Sequence, residues 1–206
     1  MSQICHKIHH LFSGLPTGTI PRNGIYVLFE KGEVAHQADR IVRVGTHTGN
    51  NQLPSRLEQH FVRENKDRSI FRKNIGRALL NRDHDAFLAH WEIDLTTAEA
   101  KKKYAGTIDQ RTLKKMEKRV TGYIQRNFRF VVFRVDEKAE RLLWESKIIS
   151  TVSLCDECGP SATWLGLHSP KKKIRESGLW LVNELYKHPL SESDYEALER
   201  IVLGKS

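Results

Sequence analysis

Three short runs of β-branched and aromatic residues constrain this chain most: 24–30, 40–45 and 128–135. Each has strand length and is bounded by turn-forming or charged residues. The last, Phe-Arg-Phe-Val-Val-Phe-Arg-Val, is the strongest strand signal. The first two are joined by a connection that begins at Lys31, Gly32 and Glu33, so they are expected to pair antiparallel. Pro54 suits the first turn of a helix in which Leu53, Leu57 and Phe61 recur every four residues. Ser69 is placed to cap a helix over 70–82, with Ile70, Ile75, Ala78 and Leu79 inward. Residues 89–95 read as a short strand, and 97–126 as helix with a break near Gly106. Residues 137–152 read as helix and 153–178 as loop-rich. Ser191 or Ser193 caps a last helix that runs to about Leu203. This order implies a small mixed α/β domain.

At 206 residues the chain has the length of one domain with room for an elaboration. It holds no run of about 18 apolar residues, which excludes a helical membrane span. The first seven residues lack the apolar stretch of a secretory signal, so none is expected. Three cysteines are too few for a disulfide scaffold, which points to a reducing cytoplasm.

The formal net charge is +9, and the excess is uneven. Residues 56–82 carry eight basic and three acidic side chains, and residues 101–129 carry ten against two. The stretch 189–203 is net −3. Clustered Lys and Arg are what a phosphate backbone requires. A set of solvated helix faces would look the same in sequence.

Several residues could carry chemistry. Arg56 and His60 are four apart and share a helix face. The Arg fork suits phosphate, and His moves protons near neutral pH. Tyr26 lies on the first strand, on the face opposite Ile25, Val27 and Phe29. Glu145 follows Trp144 in a helix with Leu142, Leu143, Ile148 and Ile149, and an inward carboxylate there could hold a hard divalent cation. Cys155-Asp-Glu-Cys158 is half of a zinc set. Cys5 and a histidine could complete it, His168 being the nearest downstream.

Gly24-Ile25-Tyr26, then Arg43-Val44-Gly45, then a helix bearing Arg56, then a late helical Glu145 resemble, in that order, the GIY-YIG nuclease superfamily. The likeness runs from about 22 to 152, with Asn183 as a last element. The stretches 40–47 and 69–80 resemble a bacterial branch of stand-alone proteins. The resemblance implies an α/β (α+β) fold, a small three-stranded antiparallel sheet flanked by helices. Residues 96–127 then form a basic helical insertion and 153–206 a C-terminal extension of a single domain, 1–206. Two departures stand out. Arg43 occupies the place of the second motif's tyrosine, and Thr46 follows the glycine where the family sometimes has Lys.

The implied activity is metal-dependent endonucleolytic cleavage of DNA in the bacterial cytoplasm, on the nucleoid when bound. Glu145 holds one Mg²⁺ or Mn²⁺, for which a single carboxylate suffices because magnesium keeps several waters. Tyr26 is the general base. Arg56 clamps the non-bridging oxygens, while Arg43 and His60 support Tyr26 or the phosphate. Arg63, Arg72, Lys73, Lys114, Lys115 and Asn183 are the expected nucleic-acid contacts. No membrane partner is expected, and double-strand cutting by so small a site would favour a dimer or two binding events. Two alternatives remain open at this point: a catalytically silent nucleic-acid-binding module on the same fold, and a zinc-stabilised interaction protein.

Overall fold

The computed structural model describes residues 2–16 and 18–204. Its strands are β1 (Gly24–Ala35), β2 (Ala38–Gly45) and β3 (Phe128–Arg134). Its helices are α1 (Ser2–Ser13), α2 (Leu53–Phe61), α3 (Ile70–Arg82), α4 (Leu88–Glu92), α5 (Ala98–Lys103), α6 (Gln110–Asn127), α7 (Lys138–Ser153), α8 (Lys172–Ser177) and α9 (Glu192–Leu203). The sheet is antiparallel in the order β2-β1-β3. The expected α/β fold with a three-stranded antiparallel sheet flanked by helices is the one observed.

Strand β1 is central, and every residue from Gly24 to Glu30 is buried. Alternation along the strand feeds two cores. Ile25, Val27 and Phe29 face α1, α7 and α9, whereas Tyr26 and Leu28 face α2, α3 and α6. A three-stranded sheet covered on both sides explains why its strands read as apolar runs.

Three expectations need correction. The β1–β2 connection does not lie at 31–33. The strands continue to Ala35 and Ala38, and the turn is His36–Gln37, both with positive φ (52° and 62°). Gly32, at φ 87°, instead lies in a bulge where the register slips between Phe29 and Val34. Residues 89–95 do not form a strand but largely the helical turn α4. Trp91 is buried against Gly76 of α3, where a Cβ would collide with the indole, and its Nε1 donates to the Lys73 carbonyl at 3.0 Å. Ile70 is exposed rather than inward. Helix α1 has no counterpart in the sequence reading. It buries Ile4, Ile8 and Phe12 at four-residue spacing.

The bulge turns two carboxylates inward. Glu30 accepts hydrogen bonds from Trp164 Nε1 (2.7 Å), Trp180 Nε1 (2.8 Å) and Tyr123 Oη (2.5 Å). Burial pushes its carboxyl above the ordinary range, against the pull of these three donors. Glu33 pairs with the fully buried Arg40, whose Nη1 reaches the Gly178 carbonyl at 2.6 Å. The segment 179–181 runs beside β2, with Trp180 N–H donating to the Val42 carbonyl at 2.8 Å. Leu179 and Leu181 enter one core and Trp180 the other. Residues 179–181 are thus packed as part of the sheet's surroundings.

Replacing Glu30 by Ala would strand two buried indole donors and the half-buried Tyr123 hydroxyl. At about 1–3 kcal/mol for each buried unpaired group, a loss of at least about 2 kcal/mol is expected. Urea unfolding of Glu30→Ala reads this, and a loss below about 1 kcal/mol would contradict the clamp.

Candidate active site

The second motif's glycine has a packing reason. Tyr26 and Gly45 are directly paired across β1 and β2, and a Cβ on Gly45 would run into the Tyr26 ring and hydroxyl. The ring fills that space and is fully buried. Its hydroxyl lies 2.8 Å from His60 Nε2 and receives Arg43 Nε at 3.3 Å. His60 Nδ1 lies 2.7 Å from Ser69 Oγ, which also caps α3 by accepting from Arg72 N–H.

Two proton arrangements fit this chain of bonds. Either the Tyr26 hydroxyl donates to His60 Nε2 and Nδ1–H to Ser69 Oγ, or Nε2–H donates to the Tyr26 oxygen and the Ser69 hydroxyl to Nδ1. His60 is neutral in both. Burial holds its pKa well below the usual imidazole value, and Arg43, Arg56 and Arg72 lower it further. A ring that resists a second proton this strongly orients Tyr26. It reaches no cleft water, since it is fully buried.

A cleft of about 470 Å³ opens on the other side of Arg43. Arg43, Arg56, Glu145, Asn183 and Glu184 line it. Arg43 Nη1 donates to the Trp180 carbonyl, and its guanidinium lies over the Phe71 ring. Arg56 Nη1 is held by Gln59 Oε1 and the Arg68 carbonyl, both at 3.2 Å. Glu145 Oε1 accepts from the Thr46 amide at 3.2 Å, and Thr46 Oγ1 donates to the Gly24 carbonyl at 2.7 Å. Burial raises the Glu145 carboxyl above the ordinary range; Arg43 and the Thr46 amide partly offset this. A desolvated carboxylate with one weak protein partner, on the wall of a cleft, fits a divalent cation that keeps most of its waters.

The structure thus brings Arg43, Arg56, Glu145 and Asn183 to one cleft, with Tyr26 and His60 behind Arg43. Five other expected contacts sort differently. Arg72 is fully buried, pairing with Glu117 at 2.8 Å, and Lys73 is buried with its ammonium on the Glu92 carbonyl at 2.9 Å. Both are interior ion-pair residues and are withdrawn as nucleic-acid contacts. Arg63 is exposed and paired with Glu58. Lys114 and Lys115 are exposed on α6. Lys114 shares a groove of about 530 Å³ with Lys101 and Arg68, the residue whose carbonyl holds Arg56. Sequence reasoning missed the Thr46 amide, the Ser69 contact to His60, the Trp180 carbonyl and Glu184. The main-chain groups leave no trace in residue type, and Ser69 was visible only as a cap.

The cleft combines guanidinium groups suited to an anion with one carboxylate suited to a cation, on a small antiparallel sheet. A family model described as "GIY-YIG domain" matches residues 6–205. The chain belongs to the GIY-YIG domain family, whose members are typically endonucleases. No curated protein and no solved structure matches it.

Because the folded state holds the Glu145 proton more tightly than the unfolded state, its contribution to stability falls as pH rises past the ordinary carboxylate value. Metal-free Glu145→Gln is expected to melt above wild type at pH 7–8, with the gap closing near pH 4. Millimolar Mg²⁺ should raise the melting temperature of wild type alone. Equal melting curves at both pH values would contradict the assignment.

Proposed function

We propose that this protein is a divalent-metal-dependent DNA endonuclease acting through the Arg43–Arg56–Glu145–Asn183 cleft. The convergence of those four residues, from β2, α2, α7 and the extension, carries the reading. Glu145 is the residue that holds Mg²⁺ or Mn²⁺. When bound, the ion offsets negative charge on the phosphate and leaving oxygen. Arg56 faces the cleft and clamps the non-bridging oxygens. Arg43 joins the cleft to the Tyr26 hydroxyl, so a phosphate drawn to Arg43 lies one side chain from the base. Tyr26 acts as the phenolate, which the donating Arg43 Nε stabilises: it takes the proton of the attacking water as the new P–O bond forms and the bond to the leaving sugar oxygen breaks, and the leaving oxygen takes a proton from solvent. His60 and Ser69 fix the Tyr26 hydroxyl. The exposed Lys114 and Lys115, with Arg63, bind the DNA backbone outside the cleft.

One observation favours a second reading. Tyr26 is fully buried and Arg43 stands between its hydroxyl and the cleft. A domain that binds nucleic acid without cutting it would tolerate that screen.

A supercoiled-plasmid assay with and without EDTA separates the two. Metal-dependent nicking is expected, with Glu145→Gln and Arg56→Ala each slower by about 10²-fold or more and Tyr26→Phe by about 10²- to 10⁴-fold. Tight binding without cleavage on plasmid, single-stranded and branched DNA would leave the binding module.

Duplex binding measured against salt tests the basic face. Removing two phosphate contacts with Lys114→Glu and Lys115→Glu is expected to weaken binding across sequences and lower the salt slope by about two. Unchanged affinity would make that face a solvated surface only.

A further inference from the structure

The tip of the β1–β2 hairpin meets α1 and the segment just past α7, and four ligand-type side chains gather there. Cys5 comes from α1, His36 from the turn, and Cys155 and Cys158 from the segment after α7. Their ligand atoms all lie within 4.8 Å of one another. His36 Nε2 is 3.3 Å from Cys155 Sγ and 3.4 Å from Cys158 Sγ. A tetrahedral Zn²⁺ at ordinary bond lengths sets neighbouring ligand atoms about 3.6–3.8 Å apart. The three cysteines are buried and free of disulfides.

Two further features point to a ligand. His36 Nδ1 faces the Glu157 carboxylate at 3.5 Å, and Glu157 is fixed in turn by Ser2 Oγ at 2.5 Å. A carboxylate on the far nitrogen is the usual orienting partner of a zinc-bound imidazole. His36 and Gln37 both occupy the left-handed region, at φ 52° and 62°, where a two-residue hairpin turn favours Asn or Gly. The turn thus keeps an uncommon backbone while presenting the imidazole to three sulfurs.

We propose that Cys5, His36, Cys155 and Cys158 form a closed Cys₃His structural zinc site. Binding displaces the three thiol protons, and four protein ligands leave no open position for chemistry. The site staples α1, the hairpin and the C-terminal end of α7, the helix that carries Glu145. This assigns the Cys-x-x-Cys and places its histidine at position 36 instead of 168, which is exposed and whose carbonyl caps Asn81.

Metal analysis of full-length protein purified under reduction and without chelator is expected to give about one zinc per chain. Cobalt titrated into the reduced, zinc-free protein is expected to show the intense visible bands and sulfur-to-cobalt charge transfer of a tetrahedral thiolate site. A six-oxygen site at Glu145 would stay pale. Cys158→Ser should abolish the charge-transfer band or lower zinc affinity sharply. Glu157→Gln, at an exposed position, should keep the fold and weaken zinc binding by about 10- to 100-fold. His36→Asn, which suits the turn backbone, should shift the cobalt spectrum. Reduced wild type that holds no zinc and gives no thiolate–cobalt band overturns the proposal, as does an unaltered spectrum in His36→Asn. A Cys155–Cys158 disulfide in metal-free protein from a reducing cytoplasm would do the same. None of these readouts depends on DNA cleavage.

Discussion

The buried Glu30 carboxylate holds the molecule's outlying parts to its sheet. It takes one donor from Tyr123 of α6 and two indole donors from Trp164 and Trp180, beyond α7. An isolated carboxylate at that depth would be costly; three donors offset part of the desolvation. Because Trp180 is fixed there, its main chain runs along β2, its carbonyl receives Arg43, and residues 181–184 form one wall of the cleft. The site therefore depends on packing at a distance from it.

Within the cleft, the same low dielectric acts on groups of opposite character. Burial keeps His60 neutral, so one ring nitrogen donates and the other accepts in its bonds to Tyr26 and Ser69. Burial also leaves Glu145 short of solvation, which a cation would restore. Arg43 lies where these two effects meet. It donates to Tyr26, anchors on Trp180 and lines the cleft. A tyrosine at that position could not make all three contacts with one charged group, so the departure from the family motif changes the electrostatics of the site as well as its shape.

Strands and amphipathic helices were legible because their apolar spacing is a direct consequence of burial. The run 24–30 reads as strand since both faces of β1 are covered. The Leu53–Leu57–Phe61 stripe reads as helix for the same reason. The run around Trp91 misled because a short apolar segment has no decisive period, and its helical form comes from the fit of the indole over Gly76. The hairpin tip was illegible because His36 and Gln37 are not turn formers. Arg72 and Lys73 looked like surface cations because a charge cluster in sequence does not reveal its partners, here Glu117, Asp67 and the Glu92 carbonyl. Within the candidate site, Tyr26, Arg43, Arg56, His60, Glu145 and Asn183 were nameable from motif order. Cys5 was nameable beside Cys155 and Cys158 as the one other cysteine, but His36 was not, since no local spacing links it to cysteines more than a hundred positions away.

The account rests on Glu145 as the cation-holding group of a phosphate cleft. A crystal soaked in Mn²⁺ and measured for anomalous scattering tests this most directly. The expected result is one peak within coordination distance of a Glu145 carboxylate oxygen, facing Arg43 and Arg56, that disappears in Glu145→Gln. No peak in wild type at a saturating soak, or a peak that survives the substitution, would contradict it.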